Sequence, residues 1–182
     1  YFPTKAQEGR PEDIRPCIRC MSCVEDRGLP SGSINCTVNV AVGKEDEFRI
    51  TAVTTPKKVA VIGGGPAGME AARVAALRGH DVTLFEKRKL GGMLIEASVP
   101  EFKADIRSLI SYLSTQVKKA GVKIIETEAT SQTIKDGRFD AVIVATGSVP
   151  KIPAVPGIDK PSVVTVLDVL GGCLLYTSDA AD

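Results

Sequence analysis

Four cysteines lie close together near the start of the 182-residue chain, at Cys17, Cys20, Cys23 and Cys36. Three of them recur at every third position in the run CIRCMSC, and the fourth follows after a loop of twelve residues. Four thiols at this spacing suit a disulfide framework, a zinc site or an iron–sulfur cluster. Disulfides are typical of short secreted chains, and the polar opening residues predict no signal peptide.

The spacing favours an iron–sulfur cluster over zinc. Structural zinc sites usually take their ligands from two separated Cys-x-x-Cys pairs or from histidine, and the single histidine, His80, is remote in sequence. Ligation by four cysteines and a Cys-x2-Cys-x2-Cys run are features of iron–sulfur proteins. The cysteines therefore predict a 4Fe-4S cluster, with zinc as the alternative. Arg15 and Arg19 lie beside it in sequence, as charge partners of the cluster or as solvated loop residues.

A Gly-rich segment, VIGGGPAGMEAARV, separates a predicted strand from a predicted helix. Gly63 allows a tight turn, Gly65 lets the backbone approach a pyrophosphate, and Gly68 lets the helix pack closely on the strand. Pro66 and Ala67 open the helix, where the N–H that proline lacks has no intrahelical partner. This arrangement is typical of a phosphate-binding loop.

An acidic residue completes the dinucleotide-binding pattern. Glu86 ends the next predicted strand, eighteen residues after Gly68, where a carboxylate can accept both hydroxyls of an adenosine ribose. We assign the adjacent Lys87 to the same site. The glycines alone are a weak signal, since a helix N-terminus stabilises an anion by only about 0.3–1 kcal/mol. Strand, helix and acid together predict a bound dinucleotide.

Alternating strands and helices predict the fold that positions these residues. The predicted strands span residues 57–62, 80–86, 122–127 and 140–147. An apolar stripe from Phe102 to Ala120 predicts a long amphipathic helix, residues 47–55 predict a short extended lead-in, and KDGR at 135–138 predicts a hairpin turn. The fold class is therefore α/β, a Rossmann-like domain whose parallel sheet is covered on both faces, preceded by a loop-rich cysteine segment.

Composition excludes several classes of protein. The chain is 43% hydrophobic and 25% charged with a net charge of +1, which indicates a globular protein with no electrostatic preference for nucleic acid. No apolar run is long enough to span a membrane, so we expect no membrane partner and a cytoplasmic location. The last ten residues, 173–182, resemble the read-through translation of a sequencing adapter, with a natural frayed tail as the alternative.

Two further motifs indicate FAD as the dinucleotide. The segment VIVATGSVPKIPAVPG at 142–157 resembles the strand-end Ala-Thr-Gly motif of flavoproteins with two dinucleotide-binding domains. This resemblance implies that Ala145, Thr146 and Gly147 contact FAD. Gly92, in the segment KLGGML, lies where such proteins bring a glycine backbone near the cofactor. Glu86 alone fits FAD and a nicotinamide cofactor equally well.

The cysteines and these motifs, in this order, resemble the iron–sulfur flavoenzymes related to old yellow enzyme, the family of 2,4-dienoyl-CoA reductase, 2-enoate reductase and trimethylamine dehydrogenase. The resemblance covers residues 12–172. It departs from the family after the last cysteine, where Val40 and Lys44 replace the usual proline and arginine. It implies that residues 1–55 form a linker and cluster-binding segment and residues 56–172 a truncated FAD domain with an incomplete sheet.

The family also implies an activity for the intact enzyme. An N-terminal barrel would hold FMN and a small-molecule substrate, an enoate or enoyl thioester, and a further domain would bind NAD(P)H. Electrons would pass from NAD(P)H to FAD, through the cluster to FMN, and then to an activated carbon–carbon double bond. The resemblance assigns no catalytic residue to this chain. Amine oxidative demethylation and an electron-transfer module without its own catalysis are the alternatives.

Overall fold

The computed structural model describes residues 2–25 and 34–171. The cysteine segment contains two short helices, α1 (Phe2–Gln7) and α2 (Ser22–Glu25), with a 3₁₀ turn at Pro11–Asp13 between them. The strands that follow are β1 (Lys58–Ile62), β2 (Asp81–Phe85), β3 (Lys123–Ile125) and β4 (Ala141–Val144). The later helices are α3 (Pro66–Leu77), α4 (Leu94–Ala97), α5 (Ala104–Lys119), α6 (Ser131–Gly137) and α7 (Val166–Leu170), with a 3₁₀ turn at Glu101–Lys103.

The four strands form one sheet in the order β3-β2-β1-β4, and every neighbouring pair is parallel. Val59 of β1 is in register with Val82 of β2 on one side and with Ala141 of β4 on the other. Because parallel strands end at the same edge of a sheet, the segments that follow β1, β2 and β4 are brought together. The predicted α/β class with a parallel sheet is confirmed.

The core lies between one face of the sheet and helices α3 and α5. Met69 and Ala72 of α3 and Val117 of α5 have no exposed surface. They pack against side chains that share one face of β1 and β2, namely Val59, Val61, Val82 and Leu84. Apolar burial of this kind contributes about 25 cal/mol for each Å² removed from water. The core therefore holds α3 and α5 in place, and these two helices border the candidate sites.

The opposite face of the sheet is covered over β1 and β2 but not over β4. Ala60, Thr83 and Phe85 are buried there, and the Phe85 and Phe139 rings meet edge to face with centroids 6.0 Å apart. Val144 of β4, in contrast, is 69% exposed. The expectation that both faces are covered thus holds at the two central strands only.

The N-terminal segment is attached to α5 by a group of charged side chains around Asp13. The Asp13 carboxylate accepts hydrogen bonds from Lys119 at 2.7 Å, Gln116 at 2.9 Å and Arg10 at 2.6 Å. Asp13 is 8% exposed, and these donors, with Lys119 first, hold the pKa of its carboxyl well below the ordinary value. The start of the chain is thus held against the same helix that contributes to the core.

The predicted hairpin turn at 135–138 is wrong. These residues end α6, which begins at a capping box in which Thr130 and Thr133 exchange hydrogen bonds with each other's backbone N–H groups. The helix ends at Arg138 in the left-handed conformation, with φ of 47°. KDGR resembles a turn because its Gly-Arg pair ends an element of secondary structure, but that element is a helix. The strand that follows, β4, pairs with β1 and does not fold back on β3.

Two smaller expectations also change. Residues 47–55 form no strand. Phe102 lies in the 3₁₀ turn before α5 and is 76% exposed, so it does not extend the apolar stripe. Tyr112 is 8% exposed and joins Leu109 and Leu113 in the core.

Candidate functional site

The Gly-rich loop lies between β1 and α3, as predicted. The backbone N–H of Gly63 donates to the carbonyl of Phe85 at 2.8 Å, and that of Ala145 donates to Ile62 at 2.8 Å, so the ends of β1, β2 and β4 are joined. A Cβ at Gly68 would lie 1.8 Å from the carbonyl oxygen of Gly63. Only glycine permits this close contact between α3 and the loop, which is the role that the sequence predicts for Gly68.

Glu86 follows β2 and holds two backbone segments. Its side chain is buried, and its two carboxylate oxygens accept hydrogen bonds from the N–H groups of Gly64 at 2.6 Å and Arg88 at 2.8 Å. An ionised carboxylate has about four acceptor positions, so these two bonds leave capacity for a ligand hydroxyl. Glu86 therefore shapes the Gly-rich loop in addition to its predicted role in ribose binding.

The second glycine segment approaches the first. Gly92 has φ of +54°, and a Cβ at this position would lie 2.8 Å from Cα of Gly65. The N–H of Gly91 donates to the carbonyl of Gly64 at 2.8 Å. Both a positive φ and close backbone contact exclude larger side chains at Gly92. Gly92 thus lies beside the Gly-rich loop, and its contact with FAD stays a prediction.

These segments enclose a pocket of about 1010 Å³, which is large enough for a dinucleotide. Ten of the eleven residues that the sequence assigns to cofactor binding line it: Gly63, Gly65, Pro66, Ala67, Glu86, Lys87, Gly92, Ala145, Thr146 and Gly147. Gly68 lies outside the lining, against the loop backbone. Lys87 is exposed, and its ammonium lies 3.4 Å from the Glu128 carboxylate. Cofactor binding by these residues stays a prediction.

An ion pair in the pocket wall was missed by the sequence analysis. Arg88 and Glu96 both line the pocket and are joined by a hydrogen bond of 2.6 Å between Arg88 Nη1 and Glu96 Oε1. Glu96 is 8% exposed, and the Arg88 guanidinium holds the pKa of its carboxyl below the ordinary value although burial opposes this shift. Glu96 lies on the short helix α4, directly after the Gly91–Gly92 segment. No spacing rule marks such a pair in the sequence.

The described contacts of the cysteine segment involve Cys17, Cys20 and Cys36. Cys17 and Cys36 line a single pocket of about 390 Å³. The sulfur of Cys20 lies 3.2 Å from Oγ1 of Thr37, the residue next to Cys36, and 3.6 Å from Oγ of Ser22. Cys17, Cys20, Cys23 and Cys36 are all free thiols, so no disulfide joins them. Free thiols are what a metal site requires.

In the described part of the chain, no group of three or more cysteine, histidine or acidic side chains is arranged to hold one metal ion. A cubic cluster binds each thiolate at a different iron, so its ligands stand farther apart than the four ligands of zinc. Ligation of a 4Fe-4S cluster by these cysteines, and zinc binding as its alternative, both stay predictions.

The Cys20 thiol lies beside two hydroxyl groups that shift its acidity. Hydrogen bonding to Thr37, followed by hydrogen bonding to Ser22, lowers the pKa of the Cys20 thiol to about 7. The Thr37 and Ser22 hydroxyls are themselves 3.0 Å apart. Because the thiolate is the metal-binding form, this environment fits a ligand sulfur.

The two arginines near the cysteines differ in their surroundings. Arg15 is half-buried: it donates to the carbonyl of Val38, lies 3.3 Å from Glu70 of α3, and stacks over the Tyr112 ring at 5.2 Å. Arg19 is 67% exposed and pairs with Asp105 of α5. Arg15 therefore belongs to the packed structure, whereas Arg19 is a largely solvated loop charge.

Parts of two sequence-based assignments lie outside the described residues. Residues 26–33, in the loop between Cys23 and Cys36, are among them, as is the predicted adapter-derived tail at 173–182 with Cys173. The described helices include none that is both long and apolar enough to cross a bilayer.

Comparison with known proteins identifies the family to which this fold belongs. Residues 57–179 match the family model of the pyridine nucleotide-disulphide oxidoreductases. The cinnamate reductase of Clostridium sporogenes is 41% identical over 171 residues, which are 93% of this chain and 25% of that protein. The chain spans about a quarter of the length of the curated relatives that it matches.

Two solved structures are similar to this chain in fold. The structure of 2-naphthoyl-CoA reductase in complex with 2-naphthoyl-CoA has a TM-score of 0.89 and 39% identity, over 96% of this chain and 27% of that one. Histamine dehydrogenase from Rhizobium sp. 4-9 has a TM-score of 0.77 and 28% identity, over 95% of this chain and 27% of that one. This chain belongs to the pyridine nucleotide-disulphide oxidoreductase family, among the iron–sulfur flavoenzymes that its cysteine and glycine motifs indicate.

Proposed function

We propose that the protein containing this chain is an NAD(P)H-dependent flavoenzyme that reduces activated carbon–carbon double bonds, and that this chain carries electrons between FAD and an FMN held elsewhere. The observation that carries the proposal is the Arg15–Glu70 contact, which joins the cysteine segment to α3, whose first turn borders the large pocket. A redox centre on the cysteines and a nucleotide in the pocket would then be held on the same helix.

The proposed division of the chain follows from the residues that would hold each group. Residues 1–55 form the cluster-binding segment, with Cys17, Cys20, Cys23 and Cys36 as ligands. Residues 56–172 form the FAD domain, and residues 173–182 are a tail without a role. A bound flavin exchanges electrons singly or in pairs, whereas an iron–sulfur cluster exchanges them one at a time.

Each part of the pocket has a distinct task in binding FAD. Gly65, Pro66 and Ala67 line the pocket at the start of α3, where the N-terminal end of a helix favours the negative pyrophosphate. The Glu86 carboxylate accepts ribose hydroxyls with the acceptor capacity that its two backbone bonds leave. The close approach of Gly92 to Gly65 narrows the pocket beside the loop. Ala145, Thr146 and Gly147 form the wall at the end of β4.

The substrate class rests on the relatives. One is a cinnamate reductase and another was solved with 2-naphthoyl-CoA, so an enoate or an enoyl thioester is the proposed substrate. The groups that bind and protonate it lie outside this chain, to which we assign no catalytic residue. We propose a cytoplasmic enzyme that acts on a small molecule, without a nucleic-acid or membrane partner.

Similarity to histamine dehydrogenase favours a second candidate, an amine dehydrogenase. In that case electrons would leave the substrate and pass outward through the cysteine segment, and the pocket could hold ADP in place of FAD. An electron-transfer module with no catalysis of its own is the third candidate. Cluster potentials span about −700 to +450 mV, so the ligand set does not fix the direction of flow.

The test uses the full-length protein, purified without oxygen. We expect about four irons and four sulfides per chain, extraction of both FAD and FMN, and oxidation of NADH or NADPH that depends on added cinnamate or an enoyl thioester. ADP without FAD, together with amine-dependent dye reduction, would favour the amine dehydrogenase. A colourless protein that contains zinc, or no nucleotide at all, would overturn the proposal.

A further inference from the structure

Tyr112 of α5 has a buried ring and a hydroxyl without a partner in the described chain. The residue is 8% exposed, packs in the core, and lies under the Arg15 guanidinium at 5.2 Å from the ring centroid. No hydrogen bond joins its hydroxyl to another described residue. The hydroxyl is also not sealed off, because Glu96 Oε2 is the one unpaired side-chain oxygen that the described residues enclose. Buried tyrosines usually pair their hydroxyl, so that of Tyr112 is available to a group beside it.

The space beside Tyr112 is the smaller pocket, which contains two of the four cysteines. Tyr112 lines this pocket of about 390 Å³ together with Cys17 and Cys36. It is the residue that α5 contributes to the described lining, and the others come from the N-terminal segment. Because core packing holds its ring, Tyr112 presents a fixed group to the cysteines.

The polar side chains around this pocket can all donate hydrogen bonds, and the described lining includes no carboxylate. Those other than the cysteines are Lys5, Arg15, Asn39 and Tyr112. The backbone N–H of Arg19 also donates to Cys17, with 3.4 Å between the nitrogen and the sulfur. Glu70 balances part of the Arg15 charge from outside the lining. A pocket of donors favours an anionic acceptor, and a cluster bound by four thiolates is such an acceptor.

We infer that the Tyr112 hydroxyl donates a hydrogen bond to sulfur of the cysteine-bound cluster, on the side of Cys17 and Cys36, and thereby raises its reduction potential. This inference rests on the cluster of the proposed function. A donor to sulfur stabilises the more negative, reduced form, which is why hydrogen bonds to the sulfurs set the potentials of iron–sulfur proteins. Tyr112 acts through the sulfur, binds no iron itself and is not a catalytic residue.

Tyr112→Phe removes the hydroxyl and keeps the ring that packs in the core and stacks with Arg15. The matched control is Ser111→Ala, which removes a hydroxyl from the preceding residue of α5, at an exposed position. Both variants are made in the full-length protein and purified without oxygen. EPR-monitored redox titration measures the reduction potential, and iron and sulfide analysis checks that the two variants carry equal amounts of cluster.

We expect Tyr112→Phe to lower the reduction potential. A tenfold change in the equilibrium constant of reduction, which is about 59 mV for one electron, is the expected size. Ser111→Ala should leave the potential unchanged. A hydroxyl that only faces solvent predicts the same potential in both variants. That result would overturn the inference, as would a raised potential in Tyr112→Phe.

Fluorotyrosine gives a second measurement that does not depend on the folding of a variant. The phenol of 3-fluorotyrosine is more acidic and is a stronger donor, so its incorporation in place of tyrosine should raise the potential of the otherwise unaltered protein. The same label should have no effect in Tyr112→Phe. An absent response in the unaltered protein, or an equal response in both proteins, would count against the hydrogen bond.

Failure of this inference and failure of the proposed function give different results. A full-length protein that contains zinc or no iron would end both. A protein that contains the cluster, but whose potential responds neither to Tyr112→Phe nor to the label, would end this inference alone.

Discussion

Arg15 Nη2 and Glu70 Oε1 lie 3.3 Å apart and join the cysteine segment to the helix that follows the Gly-rich loop. Burial opposes the ionisation of Glu70, but Arg73, at 2.6 Å, and Arg15 outweigh it and hold the pKa of Glu70 below the ordinary value. Arg15 also donates to the carbonyl of Val38, two residues after Cys36. One side chain thus holds the cysteine loop and α3 together.

Arg15→Met removes this link and leaves Glu70 paired with Arg73. We expect a loss of about 1–3 kcal/mol in the free energy of unfolding, because hydrogen bonds to charged groups in partly buried positions contribute this much. Iron and sulfide content per chain should fall as well. The measurements are urea denaturation and metal analysis of full-length protein. Arg19→Met is the control, since that side chain is 67% exposed and an exposed pair contributes about 0–1 kcal/mol. Equal effects of the two substitutions would contradict the proposed role of Arg15.

Thr37→Val removes the hydroxyl that lies 3.2 Å from the Cys20 sulfur and keeps the shape of the side chain. A hydroxyl that donates to a ligand sulfur stabilises the more negative, reduced form of a cluster, so its loss should lower the reduction potential. We expect a shift on the order of 60 mV, which for a one-electron couple is a tenfold change in the equilibrium constant of reduction. EPR-monitored redox titration measures it, with Thr55→Val at an exposed position as the control. An unchanged or raised potential would argue against a contact between Thr37 and the ligand sulfur.

Gly92→Ala tests the narrowing of the large pocket. The new Cβ would lie 2.8 Å from Cα of Gly65 in addition to the strain of φ at +54°, so one glycine segment must move away from the other. FAD affinity should fall by tenfold or more. Gly121→Ala is the matched control: φ is +79°, but no atom lies within 4 Å of the new Cβ. It should cost about 1–2 kcal/mol of stability from strain alone and leave FAD affinity unchanged.

Asp13→Asn should alter the acid dependence of stability. Because Lys119, Gln116 and Arg10 lower the folded-state pKa of Asp13 below its ordinary value of 3.8, its ionised form stabilises the folded protein at pH above about 4, and this contribution is lost as the pH falls further. The difference in the free energy of unfolding between the unaltered protein and Asp13→Asn should therefore be largest at pH 6 and decrease toward pH 3. Urea denaturation across this range measures it, with the exposed Asp46→Asn as the control. A difference that grows on acidification would reverse the predicted sign.

Much of the lining of the large pocket could be predicted because its signals are local in sequence. The Gly-rich loop follows one strand and Glu86 follows the next, and each strand lies within a predicted range. The Arg88–Glu96 pair could not be predicted, since its partners are eight residues apart and face each other only because Gly91 and Gly92 turn the chain into α4. The contact of Arg15 with Glu70 spans 55 residues and depends on how two segments dock. Neither contact has a periodicity that marks it in the sequence.

The missed helix α6 shows a different difficulty. Its capping box pairs two threonines, Thr130 and Thr133, whereas the usual pattern ends in glutamate or glutamine, so its start carries only a weak signal. The Gly-Arg pair at its end resembles a turn between strands. The local sequence preference is therefore ambiguous between a helix and a turn. The parallel pairing of β4 with β1 determines which of the two forms.

The outer side of β4 has a practical consequence for work on this chain by itself. Val142 and Val144 are 42% and 69% exposed on one face of that strand, and within the described residues the strand pairs only with β1. An apolar strand with a bare edge recruits other strands, which makes self-association and precipitation the expected behaviour at high concentration. A lysine in place of Val144 would improve solubility without touching either candidate site, and would make the isolated chain easier to handle in solution.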